Sequence, residues 1–316
     1  MNTRLLFTSD IHGAEKVFMK FVNAAKLYKA DVIILGGDIT GKVIIPIVEQ
    51  GIGNYVTEYK GVVQKIHGET ELSALMKNIR YSGWYPYLIS QVEYDRIWND
   101  RTKMDVIFSE IMVASIQRWV QIAEERLKGT SVKCYISPGN DDRYDIDGVL
   151  SGSEVVINPE GKIVKIDDAH EMMTLGYTNM TPWKAPRDIE DEELGRKIEK
   201  LASEVSDMKN CIFNLHCPPY DSNLDTAPLL HPDLRPVLSA GSVVNVPVGS
   251  KAVRTAIETH QPMLGLHGHI HEAKGAYKIG RTLCINPGSE YSEGVLAGAV
   301  VDLNENGVKG YVLTSG

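Results

Sequence analysis

The sequence predicts an α/β protein with parallel strands, and two observations lead to this class. The first 38 residues run strand, helix, strand, an order that places the two strands side by side and parallel. Several later apolar runs also end in polar residues next to glycines. We predict a single domain over residues 1–316 that carries one insertion, since a chain of this length can form one large α/β domain or two modest ones.

The opening of the chain carries the clearest pattern. Residues 5–9 form an apolar run that leads to Asp10, and residues 31–35 form a second one that ends at Asp38 after two glycines. Between them, residues 14–29 place apolar side chains at helical spacing. This pattern predicts two parallel strands joined by a right-handed helical crossover.

A long segment then interrupts the pattern. The next convincing strand ends only at Asn140, although a βα unit needs only about 30 residues. Residues 41 to about 128 are therefore predicted to be an insertion, with helical patterns at 71–79 and 92–127. Because the insertion leaves from the carboxyl end of a strand, where open α/β sheets bind ligands, we expect a helical cap beside the site.

The remaining chain alternates strands, helices and loops. We predict strands at 154–157 and 172–175, a charged helix at 188–205, a strand at 211–216, a long loop at 218–247, a helix through residue 260 capped by Ser250, and a strand at 263–266. From residue 275 onward, short strands alternate with turns, which predicts an antiparallel end. The acidic run at 188–193 is interpreted as a solvated helix terminus.

Composition and charge limit the function classes. The chain is 43% hydrophobic and carries a formal net charge of −8, which makes sequence-independent nucleic-acid binding a poor candidate. Divalent cations in a site would add positive charge that the composition does not show. With no signal-peptide pattern and no apolar run of about 18 residues, we expect a cytoplasmic protein without a membrane segment. The four scattered cysteines are predicted to be free thiols in a reducing compartment.

Five short motifs lie at or just past the predicted carboxyl ends of strands. They are Asp10-x-His12, Gly37-Asp38, Gly139-Asn140-Asp141-Asp142, His216 and Gly268-His269-x-His271. Because parallel strands end at one edge of a sheet, we expect these side chains to converge. Carboxylate, imidazole and amide oxygen ligands suit Mn, Fe, Zn, Co or Ni. Seven such ligands exceed what one ion with open positions takes, and they predict two divalent ions about 3.5–4 Å apart.

In this order along the chain, the motifs resemble those of the calcineurin-like metallophosphoesterase superfamily: D-x-H, G-D, G-N-x-[DE], H and G-H-x-H. The stretches at 216–219 and 286–289 also resemble its smaller, Icc-related prokaryotic members. The resemblance covers residues 3–40 and about 130–316. It implies a four-layer α/β/β/α sandwich of two mixed sheets, with the metal site at one end and the insertion leaning over it.

The resemblance also implies roles for individual residues. The first metal would be held by Asp10, His12 and His271. The second would be held by Asn140, His216 and His269, with Asp38 bridging both ions. A hydroxide between the metals would attack phosphorus in line, because coordination lowers the pKa of water from 15.7 towards about 7. The residues placed closest to this chemistry are Asp38, Asn140, Asp141 and His216.

One position departs from the family pattern. Many members read G-N-H-[DE], and their histidine is thought to protonate the leaving group or steady the phosphate, whereas this chain has Asp141. A carboxylate is normally an anion at neutral pH and a poor proton donor. We therefore expect a diester, or an ester with a good leaving group, to be preferred. Asp142 is expected to orient the loop, and Arg143 to be a surface residue rather than a phosphate contact.

The function predicted from this resemblance is hydrolysis of a small phosphoester. A cyclic nucleotide, a nucleotide diphosphate derivative, a nucleic-acid end and a phosphoprotein all stay open, with the acidic charge arguing mildly against nucleic acid. The alternative is a catalytically silent scaffold of the same fold that binds partner proteins. Such scaffolds typically lose metal ligands, whereas the set in this chain is complete. The sequence does not fix the native metal or the oligomeric state.

Overall fold

The structure is a computed structural model and describes residues 2–316. The opening elements are β1 (Asn2–Thr8), α1 (Glu15–Tyr28) and β2 (Val32–Gly36). β1 and β2 pair in parallel, with Leu5 opposite Val32, as the sequence predicts. α1 buries Phe18 and Phe21 because the helical spacing of its apolar residues forms one continuous face.

The segment between β2 and the next strand of this sheet is not purely helical, which corrects the predicted helical insertion. Its elements are β3 (Ile44–Glu49), β4 (Asn54–Tyr59), β5 (Val62–His67), α2 (Gly68–Tyr81), β6 (Tyr85–Ser90), α3 (Gln91–Ile97) and α4 (Arg101–Leu127). The four strands form one sheet with the order β5-β4-β3-β6.

Two local features explain how this segment differs from its predicted pattern. Lys60 and Gly61 connect β4 to β5 with φ of 54° and 73°, and two successive positive φ angles are what a tight two-residue hairpin turn requires. The predicted long helix at 92–127 is interrupted at Asp100, whose side chain accepts a hydrogen bond from the Lys103 amide and starts α4.

The middle of the chain adds strands to two sheets. Its elements are β7 (Lys133–Ser137), α5 (Asp147–Leu150), β8 (Val156–Ile157), β9 (Ile163–Lys165), β10 (Glu171–Leu175), β11 (Thr178–Asn179), β12 (Asp188–Ile189), α6 (Asp191–Ala202) and β13 (Cys211–Leu215). The predicted helix at 188–205 therefore starts three residues later, after a short strand.

The final part contains more regular structure than predicted. Its elements are β14 (Thr226–Pro228), β15 (Leu238–Ser239), β16 (Ser242–Val243), β17 (Asn245–Pro247), α7 (Lys251–His260), β18 (Leu264–Leu266), β19 (Gly275–Ile279), β20 (Thr282–Asn286), β21 (Ala297–Asn304) and β22 (Gly307–Ser315). Four short strands thus lie in the predicted loop at 218–247. The predicted capping of α7 by Ser250 is confirmed, because the Ser250 hydroxyl accepts a hydrogen bond from the Val253 amide at 3.0 Å.

Two six-stranded mixed sheets form the body of the protein. Their orders are β22-β21-β1-β2-β7-β8 and β19-β20-β18-β13-β10-β9. The strands β1, β2, β7 and β8 of the first sheet are parallel, and so are β10, β13, β18 and β20 of the second. The antiparallel pairs β19–β20 and β21–β22 confirm the predicted antiparallel end.

Three buried clusters account for most of the packing. One joins side chains of the two sheets, among them Phe7 and Ile34 from the first and Ile212 and Leu266 from the second. A second cluster packs α1 and α4 on the first sheet, and a third packs α6 and α7 on the second. All four cysteines are free and buried, as predicted. Within residues 2–316, no helix has the length and apolar character needed to cross a membrane.

Candidate metal centre

The motif residues follow the carboxyl ends of parallel strands from both large sheets. In the first sheet, Asp10 follows β1, Asp38 follows β2 and Asn140 follows β7. In the second, His216 follows β13 and His269 follows β18. The carboxyl ends of parallel strands share one edge of a sheet, so residues distant in sequence reach the same region.

Asp10, His12 and His271 form the first group of possible metal ligands. One ligand atom from each lies within 4.8 Å of the others. The two imidazole Nε2 atoms are 3.1 Å apart, and Nε2 of His271 lies 3.5 Å from Oδ1 of Asp10. Burial lowers the pKa of His12 to about 3, so this imidazole is neutral and has a lone pair for a metal.

Asp38, His216 and His269 form the second group, with ligand atoms again within 4.8 Å of one another. Nδ1 of His216 lies 3.0 Å from the Gly36 carbonyl oxygen, to which it donates, so its Nε2 faces the group. Burial alone would lower the pKa of His216, but the carboxylates of Asp38 and Asp10 raise it to about 10. The pocket therefore favours positive charge.

Asp38, a member of the second group, also faces the first. Its Oδ2 is 3.7 Å from Nε2 of His12, and its Oδ1 is 3.4 Å from Nε2 of His216. Although burial works in the opposite direction, His216 holds the pKa of Asp38 well below its usual range. Each oxygen of this ionised carboxylate thus faces a different group of ligands.

The backbone at these residues is strained. Asp10, His12, Asp38 and His269 have φ of 58°, 38°, 50° and 68°, in the left-handed region that non-glycine residues rarely occupy. Such residues persist where the surrounding structure fixes them, and they cluster at functional sites. Here the strain turns four candidate ligands towards one region at the ends of the strands.

Two glycines make room for the ligands. A Cβ atom at Gly139 would lie 2.3 Å from Oδ1 of Asp38 and 2.8 Å from Nε2 of His216. Gly37 has a φ of 122°, and a Cβ there would lie 2.4 Å from Nδ1 of His216. Any larger residue at either position would displace a candidate ligand.

The donor set fits a transition metal. Nδ2 of Asn140 donates to Oδ1 of Asp188 at 2.9 Å, which fixes the amide so that its own Oδ1 is buried. Among residues 2–316, neither this oxygen nor Nε2 of His216 has a hydrogen-bond partner. Buried polar atoms without a partner are costly, and a cation bound by the Asn140 oxygen and by Nε2 of His216, in place of its proton, would satisfy both atoms.

The residues after Asn140 differ in their surroundings. Asp142 is fully buried and accepts hydrogen bonds from the amides of Ile39, Thr40 and Gly139 at 2.7–3.0 Å, so it fixes the loop as expected. Arg143 pairs with surface carboxylates and makes no contact with the ligand groups. The Asp141 amide donates to Oδ1 of Asp38 at 3.0 Å, which keeps Asp141 beside the centre.

Sequence reasoning missed two residues beside the centre. Lys42 forms an ion pair with Asp141. Burial and Asp38 raise the pKa of Asp141 to about 6 against the opposing effect of Lys42. The Tyr291 ring lies 4.8 Å from that of His12 and 6.0 Å from that of His271. The only sequence signals were a lysine shortly after the Gly37-Asp38 motif and a tyrosine shortly after Ser289.

Asn286 and Ser289 support the histidine turn. The Asn286 side chain donates to the Ile270 carbonyl at 2.9 Å and to the Gly268 carbonyl at 3.3 Å. The Ser289 hydroxyl donates to the Asp10 carbonyl at 2.6 Å. The stretch at 286–289 thus ties the turn that carries His269 and His271 to the end of β1.

One curated relative resembles part of the chain. It is the uncharacterized protein MJ1162 of Methanocaldococcus jannaschii, 30% identical over 152 residues. The match covers 48% of this chain and 61% of MJ1162, so it spans less than two thirds of that protein. No protein-family model matches the chain.

Solved structures resemble the whole chain. TT1561 of Thermus thermophilus matches with a TM-score of 0.54 and 16% identity, over 100% of this chain and 99% of that one. A dimetal phosphatase from Danio rerio is more distant, with a TM-score of 0.45 and 9% identity over 98% of each chain. The chain has the fold of calcineurin-like metallophosphoesterases, as the order of its motifs predicted. Likeness at such identities concerns the fold alone.

Proposed function

We propose that this chain is a phosphoesterase that uses two divalent transition-metal ions to hydrolyse a small phosphoester. The observation that carries the proposal is the pair of adjacent ligand groups, each of which one oxygen of Asp38 faces. When bound, two such cations supply Lewis-acid activation of water and of the phosphoryl group. The candidate ions are Mn, Fe, Zn, Ni and Co, since the donors are imidazole, carboxylate and amide oxygen.

Each ligand residue has a defined task in this proposal. Asp10, His12 and His271 hold one cation, and Asn140, His216 and His269 hold the other. Asp38 spans both because its two oxygens face different groups. The hydrogen bond from His216 to the Gly36 carbonyl supports this assignment, since such bonds orient metal-binding imidazoles and raise their basicity.

We further propose that phosphodiesters are preferred over monoesters. Asp141 occupies the position where many relatives of this fold carry a histidine, so no imidazolium is available there to protonate a leaving group. Its carboxylate lies beside Asp38 and repels a dianionic monoester more strongly than a monoanionic diester. A nucleotide is one candidate substrate of this kind.

The architecture proposed for this function is one domain over residues 1–316, with residues 41 to about 128 forming a cap. The three clusters of buried side chains support a four-layer α/β/β/α arrangement for the rest. Two contacts support the cap: the Gly41 amide donates to the Tyr85 hydroxyl at 2.8 Å, and the backbone of Gly83 lies against that of His12.

Metal reconstitution tests the proposal. The purified protein is stripped with a chelator and its metal content is measured after loading with Mn, Fe, Zn, Ni or Co. Turnover is then compared on bis(4-nitrophenyl) phosphate and 4-nitrophenyl phosphate. We expect two bound ions per chain and faster cleavage of the diester. Faster monoester cleavage would refute the diester preference, and no turnover with any of these metals would favour the silent scaffold.

A further inference from the structure

We propose that Lys42 binds a phosphoryl oxygen of the substrate and that Asp141 holds it in position. This role rests on the proposed phosphoesterase function and names a substrate contact within that same site. The departure from the family motif at Asp141 then has a physical reason, because the carboxylate pairs with the Lys42 ammonium instead of donating a proton.

Lys42 lies at the start of the insertion, and neighbouring segments on both sides fix its backbone. The amide of the preceding residue, Gly41, donates to the hydroxyl of Tyr85, a buried residue of β6. A Cβ atom at Gly41 would lie 2.2 Å from the Gly83 carbonyl oxygen, so the two backbone segments are in close contact. On the other side, Thr40 is tied to the Asp142 carboxylate through its amide and its hydroxyl.

The ammonium group of Lys42 lies beside the ligand groups. It pairs with the Asp141 carboxylate, and an oxygen of that carboxylate lies within 4.8 Å of ligand atoms of His12 and Asp38. The Asp141 side chain is 21% exposed and that of Lys42 is 54% exposed. The pair therefore lies at the solvent-facing rim of the centre.

Lysine suits this position chemically. Its ammonium has three donors, and one carboxylate does not use all of them. A phosphoryl group has several anionic oxygens, and lysine binds phosphate as a point charge without needing the planar fork of arginine. The ammonium also reduces, without cancelling, the repulsion between the Asp141 carboxylate and an anionic ester.

Two roles for Lys42 must be distinguished: a direct contact with the substrate, and simple neutralisation of Asp141. In the second case, removing both charges together would restore activity. In the first case, the double variant Lys42→Met with Asp141→Asn would still bind phosphate poorly, because the donor to the phosphoryl oxygen is missing.

The test uses the metal-loaded full chain and inorganic phosphate as the probe. Calorimetry gives the dissociation constant for phosphate, and KM and kcat are measured on bis(4-nitrophenyl) phosphate. For Lys42→Met we expect phosphate binding to weaken and KM to rise by about 10- to 100-fold, the usual effect of losing a charge-assisted hydrogen bond. The metal content and melting temperature should stay unchanged, and Lys42→Arg should retain binding to within about 5-fold.

Lys65→Met is the matched control, since Lys65 is an exposed lysine on β5 of the same insertion. It should bind phosphate like the unmodified chain. The role of Lys42 is overturned if Lys42→Met binds phosphate normally, or if the double variant with Asp141→Asn recovers full binding and turnover. If the unmodified chain neither binds phosphate nor turns over an ester with any metal, the phosphoesterase function and the role of Lys42 fail together.

Discussion

Replacing Asp188 by asparagine tests whether Asn140 presents its amide oxygen to a metal. Oδ1 of Asp188 accepts hydrogen bonds from Nδ2 of Asn140 at 2.9 Å and from the Thr178 hydroxyl at 3.1 Å. Oδ2 accepts from the backbone amides of Ala185 at 2.9 Å and Thr181 at 3.1 Å. Every one of these neighbours acts as a donor, so the site requires a group that only accepts.

The Asp188→Asn variant introduces an NH2 group that must face one of these two sides. At the Oδ2 side it would meet two backbone N–H groups that cannot turn. At the Oδ1 side the Thr178 hydroxyl can rotate to accept, and the Asn140 amide can turn over. The turned amide would point its own NH2 at the second group of candidate ligands, where an oxygen is needed.

The expected result combines a large effect on metal binding with a small effect on stability. Mutations of such supporting residues usually cost about 10- to 100-fold in metal affinity. The altered hydrogen bonds should cost about 1–3 kcal/mol, which lowers the melting temperature of a chain of this size by about 2–6 °C. Calorimetric titration of the metal-free protein with Mn2+ measures the affinity, and thermal unfolding measures the stability.

Asp167→Asn provides the matched control. Asp167 also accepts two backbone amide hydrogen bonds, from Ala169 and His170 at 2.8 Å, but it lies beside the amino end of β1, away from the centre. This control should lose stability and keep its metal affinity. If Asp188→Asn binds Mn2+ with normal affinity and stoichiometry, the amide of Asn140 is not a ligand and the assignment is wrong.

Three further predictions concern other parts of the molecule. Asp38→Asn should lower turnover by about 100-fold, because a neutral bridge holds two cations poorly, and near-normal kcat would contradict the bridging role. Hydrogen bonds outweigh burial and hold the pKa of Asp167 at about 2, below the 3.8 of an ordinary carboxyl. The ionised Asp167 carboxylate should therefore add about 1–2 kcal/mol to the free energy of unfolding above pH 4, and this contribution should disappear as the pH falls through 2. Denaturant unfolding should accordingly give equal stabilities for Asp167→Asn and the unmodified chain only in strong acid. Gly83→Ala should lower the melting temperature more than Gly61→Ala, because both have positive φ but only at Gly83 would the new Cβ meet the His12 carbonyl, at 2.4 Å.

The sequence predicted those parts of the fold in which local pattern and burial agree. β1 and β2 are short apolar runs buried along nearly their whole length, and each is followed by a polar residue on a sharp bend. Their parallel pairing follows from the helix between them. The motifs at the strand ends predicted which side chains come together, and the structure brings them together. Their role as metal ligands stays a prediction.

The sheet of the insertion was not predicted because its strands lack a strong pattern. β3 contains Pro46, which usually argues against a strand. β5 is largely exposed and alternates poorly between apolar and polar residues. The turn at Lys60-Gly61 was the available signal, but a two-residue turn identifies a hairpin only when both flanking strands alternate clearly.

The supporting residues of the centre could not be predicted for a different reason. Asp188 belongs to an acidic run that has the composition of a solvated helix terminus, and that interpretation is wrong for this residue. Its carboxylate instead accepts hydrogen bonds from a neighbouring loop and from Asn140, 48 positions earlier in the chain. Contacts of this kind arise from tertiary structure and leave no periodic or compositional trace.

The ion pair between Lys42 and Asp141 links the insertion to the unusual motif. A histidine at position 141 would remove the carboxylate partner of Lys42 and place an imidazole next to its ammonium, which disfavours protonation of that imidazole. A protonated histidine is therefore disfavoured beside Lys42, whereas the Asp141 carboxylate stabilises the Lys42 ammonium. Because Lys42 is held in place through Tyr85 and Gly83, the insertion positions the cation that pairs with Asp141.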